Sequence, residues 1–306
     1  MDKLDSELLY KIADLHGIPE GSYNIRKDGK SIGRASDPDI EITSRKDGKE
    51  GIDIFVRPGV KNKSAHIPVI LTQGGLLDVV YNDFYIGKGA DVTIIAGCGI
   101  HNDGGAMSGH DGVHVFHVGK NAKVRYVEKH YGEGSGTGGR IMNPTTIIEI
   151  DEGGYMEMDT VQIKGVDSTY RKTSAVLVDR AVLTVKEKIM THGTQEATTD
   201  FDVRLDGEDS AAHLISRSVA RDDSRQTFIS CMDGNARCNG HTECDAIILD
   251  NGHVSAVPKI NANNVDARLI HEAAIGKIAG EQLDKLMTLG LDEKQAEDMI
   301  INGFLK

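Results

Sequence analysis

The sequence predicts a mainly β fold, a parallel β-helix flanked by short helical segments. The main observation is an internal repeat: similar segments start at Ile86, Val118 and Ile150, at equal intervals along the chain. Each contains an apolar residue, a polar turn and an alternating strand, and weaker copies start at Val178 and Leu205. Repeated strand units without intervening helices are typical of a solenoid, in which each coil buries its apolar face on the next. A β-sandwich is the alternative, but it does not require a fixed period.

Composition supports the same fold class. Short runs of alternating apolar residues fill the segment 40–270 and predict the strands of the core. Glycine is abundant, with 35 residues, whereas proline is rare, with 6, and this suits many tight turns between strands. We therefore expect an N-terminal helix and linker over residues 1–39, followed by a β-helix core over residues 40–270.

Helical patterning appears at both ends of the chain. Near the N-terminus, Ser6–Leu15 carries leucine and isoleucine at helical spacing. Over residues 280–306, Gly290 can end one helix, and Asp292 with Gln295 can form the capping box of the next. These two helices either cover the open end of the solenoid, as composition alone favours, or form a docking surface for a partner. Their apolar stripes contain Leu283, Leu286, Met287, Ala296, Met299, Ile300 and Phe304.

Charge and hydropathy argue against several classes of function. Asp and Glu outnumber Lys and Arg by 47 to 35, giving a net charge of −12, so we expect no binding to nucleic acid or to anionic lipid. No apolar run approaches the roughly 20 residues that cross a bilayer, and the first residues lack the apolar region of a signal peptide. The four cysteines include no C-x-x-C pair, which indicates free thiols in a reducing cytoplasm.

Two motifs are rejected as sites. Gly134, Gly136 and Gly139 match a phosphate-binding pattern, but the residues that follow predict a strand instead of the required helix. The sequence also has no P-loop, so any ATP chemistry must come from another subunit. A group of histidines lacks the spacing of a helical metal site, and we interpret its members as surface and turn residues. This group contains His101, His110, His114, His117 and His130.

Three cysteines, Cys231, Cys238 and Cys244, cluster late in the strand-rich segment. An iron–sulfur site held by one chain usually needs four ligands, which this chain does not offer in one tight group. The set therefore indicates either ordinary buried thiols or a site shared at a subunit interface. In the second case each chain would contribute one thiolate and one or two nitrogen or oxygen ligands.

Four segments of the chain resemble the SufB/SufD family, the scaffold subunits of the SUF iron–sulfur cluster assembly machinery. These segments are SRSVARDDSR, HTECDAIIL, ARLIHEAAIGKI and EQLDKLMTLGLDEKQAEDMIINGF. The resemblance is closest to SufB, because Glu272 follows His271, and the chain looks like a short SufB-type protein of a minimal SufB–SufC system. It implies a right-handed parallel β-helix with a C-terminal helical segment over residues 271–306.

The resemblance also implies a function and partners. A transient iron–sulfur cluster would be built from Cys244, Glu272 and His271 at an interface between two chains, either in a homodimer or with a SufD-like paralogue. A sulfur donor and apo iron–sulfur acceptor proteins would be further partners, and a reduced flavin a further cofactor. The chain itself would be a scaffold and not an enzyme. The C-terminal helices would dock a SufC-type ABC ATPase through Leu283, Leu286, Met287, Met299, Ile300 and Phe304.

One feature departs from the family pattern. Val203 stands at the position that we align with the sulfur-accepting cysteine, so we expect Cys231 or Cys238 to handle sulfur instead. Two other functions remain open. A SufD-like structural subunit would not bind a cluster, and the presence of both Cys244 and Glu272 counts against it. A β-helix that binds polysaccharide would need aromatic platforms, whereas the chain has no Trp and only 5% aromatic residues.

Overall fold

Two ten-stranded sheets, A and B, form the body of the molecule, and the chain passes from one to the other to make a β-solenoid of about eight turns. The computed structural model describes residues 2–306. Sheet A has the strand order β2-β1-β5-β7-β9-β12-β14-β16-β18-β20, and sheet B contains the remaining strands. In chain order the elements are α1 (Lys3–Ala13), β1 (Ser22–Lys27), β2 (Lys30–Ala35), β3 (Ile40–Ser44), β4 (Gly51–Val56), β5 (Lys63–Leu71), β6 (Leu77–Ile86), β7 (Asp91–His101), β8 (Ser108–Val118), β9 (Lys123–Glu133), β10 (Arg140–Met142), β11 (Thr145–Ile150), β12 (Tyr155–Lys164), β13 (Ser168–Leu177), β14 (Val182–Thr191), β15 (Glu196–Leu205), β16 (Ser210–Ala220), β17 (Arg225–Gly234), β18 (Cys238–Ile248), β19 (His253–Ala262), β20 (Arg268–Gly276), α2 (Gly280–Met287) and α3 (Glu293–Phe304).

The parallel β-helix predicted from the repeat is confirmed. Strands of successive coils pair in parallel, and Lys123 of β9 lies opposite Tyr155 of β12, one full interval of the repeat further along the chain. In later coils the interval shortens, and Ser210 of β16 lies opposite Cys238 of β18. The copies of the repeat after residue 178 therefore no longer follow the interval of the first three, and their pattern is weaker.

The core lies between the two sheets and runs along the solenoid. Side chains alternate between a buried inner face and an exposed outer face, as a strand period of two requires. Phe84 and Phe116 of neighbouring coils stack with their ring centroids 4.1 Å apart, and Tyr126 of sheet A meets Phe116 edge-on. Each fully buried apolar side chain of this kind stabilises the fold by about 1.5–3 kcal/mol.

The N-terminal helix lies on the outer face of sheet A, across β5, β7 and β9. The predicted helix is confirmed over Lys3–Ala13, where it begins after the cap Asp2 and ends before Asp14, which adopts a left-handed conformation with φ 54°. Its leucines pack against sheet A, and a Cβ at Gly97 would lie 2.6 Å from the carbonyl oxygen of Ile12, so only glycine permits this close approach. Strands also extend into the expected linker, because β1 pairs with β5 and turns back into β2.

The C-terminal helices lie beside the solenoid instead of covering its open end. On α3, Ile301 together with the following Leu305 packs on Val219, at the end of β16 in sheet A. Arg221 anchors the same helix through a 3.2 Å ion pair with Glu297. Asp292 and Gln295 form the predicted capping box of α3. Over residues 2–306, no helix combines the length and the apolar content that crossing a bilayer would require.

Candidate functional site

The last coil of the solenoid is uncovered. Strands β19 and β20 each pair on one side only, with β17 and β18, and no residue of either strand is buried. Apolar side chains are part of this end: Val257, Ile270 and Ile275 are 51, 54 and 38% exposed. A strand edge that carries exposed apolar side chains is a surface for pairing with another chain.

Cys244 lies inside the solenoid, one coil before this end. On β18 its register neighbours are Ser216 of β16 and Ala273 of β20, so all three share the inner face. The side chain of Cys244 is only 1% exposed and belongs to the apolar core. Burial, followed by the charges of Glu187 and Asp245, raises the pKa of the thiol from 9.0 to about 12. The reactive thiolate is therefore scarce in this conformation.

His271 shares the inner face with Cys244. It lies opposite the buried Thr242, two residues before Cys244 on β18, so the imidazole and the thiol occupy diagonal positions on neighbouring strands. Among residues 2–306 its Nδ1 atom is buried and has no hydrogen-bond partner. Burial and the nearby His241 lower the pKa of His271. A neutral imidazole with an unpaired nitrogen is suited to binding a metal ion.

Glu272 lies on the outer face of the same strand, opposite Glu243 of β18. Its Oε2 atom is 3.4 Å from Nε2 of His241, and the His241 ring lies edge-on to that of His213, with centroids 6.3 Å apart. Burial and the adjacent Asp245 raise the pKa of Glu243. His241 was not among the residues predicted for the site, because only the register of β18 with β20 brings it close to Glu272.

The structure thus brings together two of the three expected ligands and separates the third. Cys244 and His271 face the interior, whereas the side chain of Glu272 is 67% exposed on the outside of the sheet. One metal ion cannot contact all three residues of a single chain in this conformation. Joining them requires either a movement of β20 or the contribution of a second chain.

The other two candidate cysteines lie apart from Cys244. Cys238 begins β18 on the inner face, and burial raises the pKa of its thiol. Cys231 lies on β17 in sheet B with its side chain on the outer face. Val203 is fully buried on the inner face of β15, also in sheet B.

A chain of buried polar side chains runs through the interior towards Cys244. The Tyr126 hydroxyl donates to Glu128 over 2.9 Å, and Arg171 donates to the same carboxylate. The guanidinium of Arg171 also lies 3.5 Å from Glu187, which accepts a 2.9 Å hydrogen bond from Ser216, a register neighbour of the candidate thiol. Burial raises the pKa of Glu187. One buried guanidinium therefore serves two carboxylates.

Three of the five histidines interpreted as surface and turn residues are buried, so that interpretation is wrong for His110, His114 and His130. The Tyr126 hydroxyl already donates to Glu128, so Nδ1 of His114 must donate its proton to Tyr126, 2.8 Å away. Burial lowers the pKa of His114 to about 4. Although burial opposes its ionisation, Glu128 is kept charged by the neighbouring His130 and by the guanidinium beside it, which hold its pKa well below the usual value.

The residues expected to dock a partner lie on α2 and α3 and keep part of their surface free. Met287 and Met299 are 42 and 52% exposed. The others, Leu283, Leu286, Ile300 and Phe304, are half-buried. Ile301 and Leu305 hold α3 on the solenoid, and of the expected docking residues Phe304 also packs against them, so the exposed surfaces of Met287 and Met299 remain free for an external contact.

Comparisons with known proteins identify relatives of this chain. The family model described as "SUF system FeS cluster assembly, SufBD core domain" matches residues 78–304. This range includes the whole of the last coil and both C-terminal helices.

Individual relatives carry names of the same kind. An iron–sulfur cluster assembly SufBD family protein of Methanocaldococcus jannaschii is 28% identical over 302 residues, which cover 95% of this chain and 92% of the relative. A protein of the same description from Archaeoglobus fulgidus is 29% identical over 278 residues, covering 87% of this chain and 71% of the relative. One from Pyrococcus horikoshii is 29% identical over 284 residues, which cover 90% of this chain and 84% of the relative.

Proposed function

Because the chain belongs to the SufBD family of iron–sulfur cluster assembly proteins, a family of scaffold and assembly proteins, we propose that it is a SufB-type scaffold that works as a homodimer with a SufC-type ABC ATPase. The observation that carries the proposal is the uncovered last coil, which holds His271 on its inner side and Glu272 on its outer side, with Cys244 on the inner side of the coil before it. In a two-fold dimer formed at this end, Glu272 of one chain can approach His271 of the other. The nascent cluster would then be shared between the two chains.

The chemistry of the three side chains suits a cargo that must be released. A thiolate binds iron and can carry sulfur, whereas carboxylate and imidazole ligands hold iron–sulfur cargo less firmly than a set of four thiolates would. His241, 3.4 Å from Glu272, would orient that carboxylate as an outer partner. A site of mixed ligands can therefore assemble a cluster and still pass it to an apo acceptor protein.

Access to Cys244 is the step that we assign to the ATPase. The thiol is sealed beneath β20, and its raised pKa keeps it protonated near neutral pH. Iron binding must displace this proton, because a metal binds the thiolate. We propose that ATP-driven movement of the C-terminal helices shifts β20, which directly precedes them, and admits iron and sulfur to the thiol.

The contact with the ATPase is proposed to lie on α2 and α3. Met287 and Met299 offer exposed, flexible apolar side chains next to the half-buried Phe304. Sulfur handling by Cys231 or Cys238, a reduced flavin as electron donor and a location in the reducing cytoplasm remain predictions from the sequence. Flavin binding can be tested by incubating the protein with flavin under anaerobic conditions and measuring the flavin absorbance that stays with the protein after gel filtration.

Anaerobic reconstitution tests the proposal. Purified protein incubated with ferrous iron and sulfide should develop iron–sulfur charge-transfer absorbance, and Cys244→Ala should abolish it. Cys98→Ala is the matched control, because Cys98 is also a buried cysteine of sheet A but lies on β7, far along the solenoid. Equal absorbance in the wild-type protein and in the Cys244 variant would refute the assigned site.

A further inference from the structure

A second group of metal-binding side chains lies on the outer face of sheet B. Asp202 of β15 is the register partner of Cys231 of β17, and Asp233 follows Cys231 by two residues on the same strand. A strand period of two places all three side chains on one face. Their ligand atoms lie within 4.8 Å of one another, with Asp202 exposed and the other two half-buried. A modest rotation of these side chains would bring one thiolate and two carboxylate oxygens around a single ion.

The strands that carry the group are held firmly. Strand β15 lies between β13 and β17, and β17 lies between β15 and β19, so both have hydrogen-bonded neighbours on each side. On the inner face the residues adjacent to the ligands, Phe201, Val203 and Met232, are packed in the core. A binding group on paired strands keeps its geometry better than one on a loop.

The charges around the group favour a cation. Lys259 is the register partner of Cys231 on β19, and Arg204 is that of Asp233 on β15. Neither forms an ion pair with the group: over residues 2–306 no salt bridge reaches Asp202 or Asp233, and Arg204 turns instead to Asp206 at 2.7 Å. Burial, then the charge of Asp233, raises the pKa of the Cys231 thiol. Asn261 donates a hydrogen bond to Oδ1 of Asp233 without cancelling its charge, and the charge of Lys259 acts on Cys231, so the two carboxylates create a negative potential that no salt bridge neutralises.

We propose that Asp202, Cys231 and Asp233 form a binding site for one divalent transition metal ion of the ferrous or zinc class. A thiolate selects such borderline ions over Mg²⁺ and Ca²⁺, and two carboxylates disfavour soft monovalent copper. Water would occupy the remaining positions, since three protein ligands leave a four-coordinate ion open. Binding releases one proton, from the Cys231 thiol to solvent, as the sulfur–metal bond forms. The site is separate from Cys244, which faces the interior from sheet A.

Cobalt titration of the full chain tests the site, because cobalt occupies such sites and a thiolate bound to it absorbs in the near ultraviolet. Under anaerobic conditions, Co²⁺ should produce this band at one equivalent per chain. Cys231→Ser should abolish it, and the double variant Asp202→Asn with Asp233→Asn should weaken binding by more than about tenfold, a loss that disturbing outer partners of a metal site already brings. Glu149→Gln, an outward carboxylate on the same sheet, is the control and should bind as the wild-type protein does.

The cobalt band also separates this site from the proposed assembly site. In Cys244→Ala the band should persist, and in Cys231→Ser it should disappear. No band in the wild-type protein, or a band lost in Cys244→Ala and kept in Cys231→Ser, would overturn the inference.

A second measurement needs no variant. Zn²⁺ should slow alkylation of Cys231 in the wild-type protein and leave Cys238, on the inner face of sheet A, unaffected. Equal rates for Cys231 with and without Zn²⁺ would contradict the site even if the variants failed to fold.

Discussion

Alkylation of Cys244 offers a quantitative test of its sealed position beneath the last strand. Burial raises the pKa of this thiol from 9.0 to about 12, so below pH 9 the thiolate fraction falls about a thousandfold relative to an ordinary cysteine. Iodoacetamide attacks the thiolate and must also reach a side chain that is 1% exposed. We therefore expect Cys244 to be alkylated at least about a thousandfold more slowly than the same cysteine in the unfolded chain, by peptide mass spectrometry at mildly alkaline pH.

The same alkylation experiment includes internal controls for the rate at Cys244. Cys231 is half-exposed on the outer face and should react ahead of Cys244 in the same sample. The rate at Cys244 should rise about tenfold for each pH unit until the pH nears 12. Adding the cognate ATPase with ATP should accelerate alkylation of Cys244, because we propose that ATP-driven movement of the C-terminal helices shifts β20 and uncovers the thiol. Similar alkylation rates at Cys244 in the folded and the unfolded chain would contradict the sealed position of this thiol.

Three further predictions concern the interior and the tail. Arg171→Met should lower the free energy of unfolding in urea by about 3–5 kcal/mol, because it leaves Glu128 buried without its cation. Lys186→Met removes only an exposed ion pair and should lower it by less than about 1 kcal/mol. Equal losses in the two variants would contradict the role of the buried network. Deleting residues 281–306 should abolish co-purification with the cognate ATPase, and retained binding would place the docking surface elsewhere. The pKa of His114 is about 4 in the folded state and about 6.5 in the unfolded state, so only the unfolded state takes up a proton as the pH falls from 6.5 to 4. This residue should therefore lower the free energy of unfolding by up to about 1.4 kcal/mol for each pH unit of that fall. His114→Gln should make the dependence of stability on pH shallower, and an unchanged slope would contradict the assignment.

The solenoid could be predicted from the sequence because its signal is repeated. Segments at equal intervals carry the same pattern, and each coil buries the same face on the next, so local pattern and tertiary packing agree. The strands β1 and β2 were not predicted, because the runs SYNIRK and KSIGRA lack apolar alternation. They are held in place by the pairing of β1 with β5, which follows only after β3 and β4 along the chain.

The buried histidines could not be predicted, because the residues that pair with them come from other coils. His114 of β8 contacts Tyr126 of β9, and Arg171 of β13 reaches His130 of β9 across the interior. A short window of sequence contains only one member of each pair. The proximity of His241 to Glu272 could not be predicted for the same reason, because it depends on the register of two strands from different coils.

The candidate ligands themselves were found through family resemblance, and their arrangement follows from strand alternation. The period of two alone places His271 and Glu272 on opposite faces of a strand, and the register of β20 with β18 agrees. The depth of Cys244, in contrast, depends on contacts between coils that no strand pattern contains. Its register neighbours Ser216 and Ala273 belong to the coils before and after it, and the thiol between them is only 1% exposed.

The transfer of a cluster to an apo-ferredoxin tests most directly whether this chain is an assembly scaffold. Protein reconstituted under anaerobic conditions should convert the apo-ferredoxin to its holo form, as measured by the ferredoxin's own absorbance and electron-transfer activity. Cys98→Ala should transfer a cluster as the wild-type protein does, and Cys244→Ala should not. Failure of the wild-type protein, or full transfer from Cys244→Ala, would contradict the scaffold role and favour a structural subunit that binds no cluster.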